Sequence, residues 1–239
     1  IISGISIVGV AVGTMALIVV LSVVNGFDSL LKKLYHSFDP DLKITAAEGK
    51  TFMPADSVLD VLNTHTDIIH YSQVIEENAL LKYEDQQFIA TIKGVDSTYV
   101  HVSGVDTMIS RGSFTLGNNG IPMAVVGQGI AFKLSLGVSM HTPVKIFVPR
   151  RNASLSYTFR NAQSAISERN IYTAGFFSIQ QDFDNKYVIV PIDFARDLFE
   201  YPQEISALEL KLSPGAQQDD IQEYLQNALG PHFRIQNRY

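Results

Sequence analysis

The hydrophobic pattern of the chain changes sharply at Asp28. No charged residue occurs in residues 1–27, whereas the sequence after Asp28 mixes charged, polar and apolar side chains. About 20 consecutive apolar residues suffice for a helix to cross the hydrocarbon core of a membrane. The pattern therefore predicts a membrane-spanning helix followed by a water-exposed domain.

Two other interpretations of residues 1–27 are a signal peptide and a buried core helix. A signal peptide has a basic start, an apolar core of only about 7–15 residues and a small-x-small cleavage site. A core helix seldom lacks charge on every face over such a length. The retained span is therefore the favoured prediction. Within it, Gly9 and Gly13 are four residues apart and Ala16 continues their face, a spacing that lets a second membrane helix approach closely.

An amphipathic helix is predicted directly after the span. Apolar residues recur at helical spacing from Phe27 to Phe38, with polar residues between them. Asp39-Pro40 ends this pattern, because the residue before a proline disfavours the helical conformation. We therefore expect residues 1–38 to form a transmembrane helix and a stalk that leads to the domain.

Alternating strand and helix patterns follow from Leu42 onwards. The predicted strands are residues 42–45, 68–75, 79–83, 88–93, 122–126, 144–148, 171–177, 187–190, 205–212 and 233–235. The predicted helices are residues 56–63, 106–110, 130–136, 192–199 and 219–229. Strand–helix–strand units at both ends flank a β-rich middle, which indicates the α+β class.

Residues 149–170 lack a periodic apolar pattern and contain four arginines. Among these residues are Arg150, Arg151 and Arg160, together with the aromatic residues Tyr157 and Phe159. Arginine and tyrosine are enriched at protein-binding hot spots, so one interpretation is a long loop or protruding hairpin that docks an acidic protein. The other interpretation is a solvated loop without a binding role.

Composition narrows the possible function classes. The 239 residues include 18 basic and 24 acidic side chains, and the formal net charge of −6 disfavours nucleic-acid binding, which needs a basic patch. Cysteine is absent, which excludes thiol nucleophiles, disulfides and thiolate metal sites.

The sequence shows no catalytic or cofactor motif. Gly127 and Gly129 join a predicted strand to a helix, but Phe132 stands where the dinucleotide fingerprint needs a third glycine, so a plain turn is predicted. The six histidines show no metal-ligand spacing, and neither a phosphate-binding loop nor a serine nucleophile elbow occurs. We expect no cofactor, no metal and no enzymatic activity in this chain.

Several segments resemble one known family. The run from Ile1 to Leu17 and the continuation from Val23 to Phe27 closely resemble the first transmembrane helix of lipoprotein-releasing ABC transporter permeases of the LolC/LolE type. Shorter segments similar to that family are Lys93-Gly94-Val95-Asp96, Ala174-Gly175-Phe176-Phe177 with Phe183-Asp184, and Asn237-Arg238-Tyr239, the last being similar to the lead-in to a second transmembrane helix. The resemblance covers the whole chain and is most specific at residues 1–27.

The resemblance implies a permease subunit in a bacterial inner membrane, with a MacB-like core in the periplasm. The implied partners are a cytoplasmic ATPase subunit, a second permease copy or paralogue, a lipoprotein cargo and a periplasmic lipoprotein carrier. The implied architecture is a Porter-like subdomain with a ferredoxin-like βαβ pattern over residues 39–118 and 200–239, and a β-rich Sabre-like subdomain over residues 119–199. The segment 149–170 lies where some members carry a hook that captures the carrier.

The resemblance also assigns roles to the span. Met15, Val19 and Val23 are expected to contact lipid or the lipoprotein's acyl chains, while Gly9 and Gly13 pack on neighbouring helices. Two alternatives stay open. One is an FtsX- or MacB-like permease whose periplasmic domain transmits ATP-driven motion to another envelope protein, and the other is a periplasmic enzyme anchored by a single span.

Overall fold

The computed structural model describes residues 2–35, 40–151 and 165–237. One long helix, α1 (Ile2–Tyr35), precedes a mixed α/β domain. The strands are β1 (Leu42–Ala46), β2 (Ile68–Tyr83), β3 (Gln86–Val95), β4 (Ile109–Gly112), β5 (Gly117–Asn118), β6 (Ile121–Gly127), β7 (Ser139–Pro149), β8 (Ile166–Phe177), β9 (Tyr187–Pro191), β10 (Ala207–Leu212) and β11 (Phe233–Asn237). The other helices are α2 (Asp56–Thr64), α3 (Tyr99–Val102), a 3-10 turn (Val105–Met108), α4 (Gln128–Lys133), α5 (Gln181–Asp184), α6 (Ile192–Phe199) and α7 (Gln218–Leu229).

The first and last strands of the domain lie side by side. β11, β1, β10 and β2 are neighbours in this order, and each adjacent pair is antiparallel. α2 connects β1 to β2, and α7 connects β10 to β11. Both helices are amphipathic and bury one stripe, with Val58 and Leu62 on α2 and Ile221 and Leu225 on α7. The ferredoxin-like assignment of these elements stays a prediction.

Six strands close into a ring. β2 pairs with β3, β3 with β9, β9 with β6, β6 with β8, β8 with β7, and β7 again with β2. Directly paired residues point to the same face, and the register places Leu81 beside Ile146 and Ile92 beside Val188. All four residues belong to the larger buried cluster, so the core fills the ring.

The opposite face of the strands carries a smaller core. Val74, Val95, Val125 and Ile189 lie there and belong to one buried cluster with Tyr99 of α3. Because side chains alternate along a strand, this face also receives the charged residues that stand between apolar ones in β1, β3 and β10. The domain therefore has a large core on one face of its sheet and a smaller, partly polar core on the other.

Three element predictions differ from the structure. Two strands were expected at residues 68–75 and 79–83, but β2 is continuous, because Glu76 binds Lys43 and Lys93 and Asn78 accepts a hydrogen bond from Thr91. A helix was expected at residues 106–110, where the 3-10 turn ends and β4 begins. Residues 166–170 belong to β8, so the long-loop interpretation of this segment does not hold there, and β7 and β8 form an antiparallel hairpin.

The predicted division into two subdomains, 39–118 with 200–239 and 119–199, stays a prediction. The strand pairing shows that β2 belongs to both structural parts. Its first half pairs with β10, while its last residues pair with β7 and close the ring. Any movement of one part against the other must therefore bend or shear β2.

Two glycines allow close packing between elements. A Cβ atom at Gly94 of β3 would collide with the Cβ atom of Ala195 of α6, so the helix can lie directly on the strand only because residue 94 is glycine. A Cβ atom at Gly127, the last residue of β6, would collide with the backbone of Asp184 in α5. Gly127 is therefore a packing residue at the turn that was predicted from the Gly127-Gln128-Gly129 sequence.

Candidate membrane helix and docking surface

The N-terminal helix exposes its apolar side chains. Among the described residues, Gly9–Phe27 is a helical stretch long and apolar enough to cross a membrane, and none of it is buried in the domain. Thr14 donates its hydroxyl proton to the carbonyl oxygen of Val10 at 2.8 Å, which satisfies this polar group within the helix, as a hydrocarbon environment requires.

The structure places the predicted residues of α1 on neighbouring stripes of the helix. A Cβ atom at Gly9 or Gly13 would point into open space among the described residues, and Ala16 is exposed beside them. Met15, Val19 and Val23 recur every four residues and are 66%, 56% and 66% exposed. A surface this apolar is stable only when lipid or protein covers it.

The chain enters the domain through a firmly bonded residue, Asp41. The backbone N–H of Asp41 donates to the carbonyl of Leu210 at 3.0 Å, and its buried carboxylate accepts from the backbone N–H of Leu212 at 2.9 Å. Lys211 lies 3.2 Å from the same carboxylate. Leu42, the next residue, is the register partner of Asn237. The entry into β1 and the end of β11 therefore lie at the same edge of the domain.

Four charged side chains form a network on the smaller-core face. Lys43, Glu209, Glu76 and Lys93 come from β1, β10, β2 and β3, which are consecutive in the sheet. Lys93 lies 2.8 Å from Glu209 and 3.2 Å from Glu76, and Lys43 lies 3.0 Å from Glu76 and 3.7 Å from Glu209. Lys93 and Glu209 are almost completely buried. Each buried charge is thus next to an opposite one.

The network shifts the ionisation of its members. Burial opposes the charged form of Glu76, but Lys93 and Lys43 outweigh it and lower the pKa of Glu76 to about 2. Burial also opposes the charged form of Lys93, yet Glu209 and Glu76 raise the pKa of Lys93 well above its usual value. Glu76 and Lys93 are therefore ionised at neutral pH. Beside it opens a polar pocket of about 390 Å³ lined by Lys43, Thr45, Lys50, Glu76, Glu77, Asn78, Thr91, Lys186, Tyr187 and Ser206.

The β7–β8 hairpin extends beyond its neighbours in the sheet. β7 pairs with β2 only at residues 145–147, and β8 pairs with β6 only at residues 172–177. We call residues 148–151 and 165–167 the ribbon. Within the described part of the chain, its two strands have backbone pairing only with each other, up to the hydrogen bond from Arg150 N to the carbonyl of Ala165 at 2.8 Å. Val148 and Ser167 are buried at its base, whereas Arg150, Arg151 and Ile166 are exposed.

Carboxylates of the same chain face the hairpin's arginines. Arg169 makes two contacts with Asp197 of α6, one of them 3.2 Å from Nη2 to Oδ1, and this bond lowers the pKa of Asp197. Arg150 lies 3.6 Å from Glu200. Arg151 binds Glu204 and places its guanidinium 5.0 Å from the ring centre of Tyr201, whose pKa is raised to about 12 by burial and by the carboxylate of Glu77.

The structure thus describes only some of the predicted docking residues. Arg150 and Arg151 lie on the ribbon, each with an acidic residue of the same chain, while Tyr157, Phe159 and Arg160 lie outside the described residues. Reasoning from the sequence did not identify the acidic residues Asp197, Glu200 and Glu204, nor the buried network. A possible signal for the network was Lys93, a charged residue within the otherwise apolar end of β3.

Comparisons with known proteins identify the domain. The sequence profile of the MacB-like periplasmic core domain matches residues 3–228. The extracellular domain of the noncanonic ABC-type transporter YknZ from Gram-positive bacteria is 12% identical with a TM-score of 0.53, covering 82% of this chain and 99% of that one. The periplasmic region of MacB from Actinobacillus actinomycetemcomitans is 12% identical with a TM-score of 0.54, covering 82% of this chain and 87% of that one.

No curated protein matches the sequence significantly. At 12% identity, the two structural likenesses show a common fold and nothing further about activity. The family profile, by contrast, spans most of the chain, including part of the apolar helix. The chain therefore belongs to the MacB-like periplasmic core domain family.

Proposed function

We propose that this chain is part of an ABC transporter permease that extracts lipoproteins from a bacterial inner membrane and passes them to a periplasmic carrier. A cytoplasmic ATPase subunit would supply the energy, and a second permease copy or paralogue would complete the transporter. The domain described above would lie in the periplasm. The chain itself would act as a transport subunit rather than as an enzyme.

The observation that carries this proposal is the exposed apolar stretch of α1, which precedes a domain whose first residues are firmly held. α1 precedes β1 and exposes its apolar stretch Gly9–Phe27, and Asp41 fastens the start of the domain to β10 through buried hydrogen bonds. The start of the domain is therefore fixed to the sheet. Because Leu42 and Asn237 are register partners, the start of β1 and the end of β11 lie on the same side of the domain. Both features suit a domain that moves with membrane helices.

The exposed stripe of α1 supports a lipid-like cargo. Met15, Val19 and Val23 present a continuous apolar surface, and the glycines on the neighbouring stripe leave room for another helix. A helix with these two surfaces can line a cavity between two permeases, with one stripe against a helix and the other towards acyl chains. The resemblance of residues 1–27 to lipoprotein-releasing permeases supports the same role.

Photo-crosslinking tests this proposal directly. A photoreactive residue at Val19, in the full transporter with its ATPase, should label bound lipoprotein through the acyl chains. The same residue at Gly13, on the stripe assigned to helix packing, is the matched control and should label protein rather than cargo. Absence of lipoprotein labelling at Val19, under conditions in which the transporter releases lipoprotein, would contradict the proposal.

The second candidate is a MacB-like or FtsX-like permease that transmits ATP-driven motion to another envelope protein. The family match of residues 3–228 favours it as much as it favours lipoprotein release. Co-purification distinguishes the two candidates. An outer-membrane lipoprotein with its carrier supports the first, whereas an efflux adaptor or a cell-wall hydrolase supports the second.

We also propose that the β7–β8 hairpin captures the carrier. The hairpin extends past the neighbouring strands, and its described end around Arg150 and Arg151 is exposed to a partner. Changing Arg150→Glu together with Arg151→Glu should weaken capture of the carrier in a pull-down. An unchanged pull-down would contradict a role of this surface in docking.

A further inference from the structure

The direction of the ribbon depends on few backbone restraints. Beyond the register pair of Phe147 and Glu168, the described residues of its two strands pair only with each other. A two-stranded ribbon in water is only marginally ordered without a further surface to pack on. Val148 and Ser167 supply such packing at the base, but the exposed part past them needs other contacts to hold one orientation.

Three pairs of opposite charges supply these contacts, and all involve one segment of the chain. Asp197 and Glu200 lie on and directly after α6, and Glu204 lies in the connection to β10. Their partners are Arg169, Arg150 and Arg151, one on β8 and two just past β7. The acidic segment therefore contacts both strands of the hairpin.

Two details show that this acidic segment is itself held in place. Glu204 accepts a hydrogen bond from Thr51 Oγ1 at 3.2 Å, and Tyr201 donates to Glu77 of β2 at 3.1 Å. Glu200 adopts the left-handed conformation with φ of 57°, which is unfavourable for a residue with a side chain and common for glycine at a helix end. A glutamate at this position keeps a carboxylate within reach of Arg150.

A single exposed ion pair adds little to the stability of a fold. Here the ion pairs act on a local equilibrium, namely the orientation of a ribbon that has few other contacts. A small free energy suffices to shift the populations of such a local equilibrium. Arg169 makes a two-point contact with Asp197, and Arg151 combines an ion pair with a ring contact, so both geometries restrict direction as well as distance.

We infer that Asp197, Glu200 and Glu204 are positioning residues that set the direction of the β7–β8 hairpin. As regards docking, this inference rests on the proposed function, because the direction of the hairpin matters only if a partner binds it. Arg150, Arg151 and Arg169 then bind carboxylates of their own chain. Their effect on carrier capture passes through the orientation of the hairpin and not through contact with the carrier.

Charge-swap variants of the full chain in lipid nanodiscs test the inference. Arg151→Glu and Glu204→Arg are made singly and together, and Arg169→Asp and Asp197→Arg likewise. Hydrogen exchange of the ribbon amides reports its order, and a pull-down reports capture of the periplasmic carrier. Lys145→Glu is the matched control, because it makes the same charge change on the same hairpin but removes a pair with Glu168 on the partner strand, not with α6.

Each single variant should speed exchange of the ribbon amides about threefold and weaken carrier capture, because an ion pair that orders the ribbon is lost. Each swapped double variant should restore both, whereas Lys145→Glu should leave exchange at residues 148–151 close to the original rate. Single variants with unchanged exchange, or swaps that do not restore it, would overturn the inference.

The carrier readout separates this inference from the proposed function. A swap that restores slow exchange but not capture shows that the arginines contact the carrier directly, and it overturns the positioning role in docking. If the unmodified chain captures no carrier while the swaps restore slow exchange, the carrier proposal fails and the ordering of the ribbon by Asp197 and Glu204 is upheld.

Discussion

Lys93 and Glu209 form an ion pair of 2.8 Å in which both side chains are almost completely buried. They belong to β3 and β10, which are separated in the sheet by β2. The pair therefore joins a strand of the closed ring to the strands that follow α1. Glu76 on the intervening β2 completes the connection, at 3.2 Å from Lys93.

Removal of one partner of this pair should be far more harmful than removal of both. Lys93→Met leaves the carboxylate of Glu209 buried with only the more distant Lys43, and it should lower the free energy of unfolding by about 3–5 kcal/mol. The double variant Lys93→Met with Glu209→Leu should recover most of that loss, because the remaining Lys43 and Glu76 still pair with each other. Urea unfolding measures both changes.

Lys50→Met is the matched control for this experiment. Lys50 pairs with Glu77 but is largely exposed, so its removal should change stability little. A double variant that is no more stable than Lys93→Met would show that the two buried charges do not act as a pair.

The low pKa of Glu76 predicts acid sensitivity. Its pKa is lowered from 4.5 to about 2 in the fold, so ionised Glu76 stabilises the protein above about pH 4.5. That contribution is lost as the pH falls from about 4.5 towards 2, because the unfolded chain takes up the proton first. Urea unfolding at a series of pH values should show a smaller slope in this range for Glu76→Gln. Glu223→Gln, which removes an exposed carboxylate of α7, should keep the slope of the unmodified chain.

Gly94→Ala should destabilise the domain by about 1–3 kcal/mol, because the added methyl group collides with Ala195 and pushes α6 away from β3. Gly137→Ala adds the same methyl group where nothing lies within 4 Å, and it should be tolerated. Thermal unfolding compares the two. Equal stability of the two variants would refute close packing at Gly94 as the reason for the glycine.

A charge in the middle of α1 should oppose membrane insertion. Val19→Arg adds a cost of about 2.5–3.5 kcal/mol for an arginine at the centre of a membrane helix. Ser29→Arg, which lies beyond the Gly9–Phe27 stretch, is the control and should insert normally. Glycosylation mapping in microsomes measures the inserted fraction. Equal insertion of both variants would argue that Gly9–Phe27 does not cross the membrane.

The local patterns of the sequence predicted most elements correctly, because each depends on neighbouring residues. The long helix follows from an uncharged run, and α6 and α7 follow from apolar residues at helical spacing. The continuity of β2 could not be predicted in this way. Glu76, Glu77 and Asn78 interrupt its apolar pattern, and only partners from other strands show why polar residues suit those positions.

The partners of the hairpin's arginines could likewise not be predicted from neighbouring residues. The sequence indicated an arginine-rich segment and suggested an external acidic partner for Arg150 and Arg151. In the fold, Glu200 and Glu204 meet these arginines from roughly 50 residues further along the chain. No local pattern connects the two segments, since α6 follows β9, and the pairing of β9 with β3 and β6 sets where α6 lies.

The sequence by itself determined the apolar helix, the approximate strands and helices, and the absence of the motifs for nucleotide binding and thiol chemistry. These properties follow from residue types and from their spacing along one element. The tertiary structure alone decided that six strands close into a ring, that Lys93 and Glu209 are buried together, and that the arginines of the hairpin face carboxylates of their own chain. The physical reason is that burial and charge pairing depend on which distant strands become neighbours, and an alternating pattern specifies a face of a strand but not what covers it.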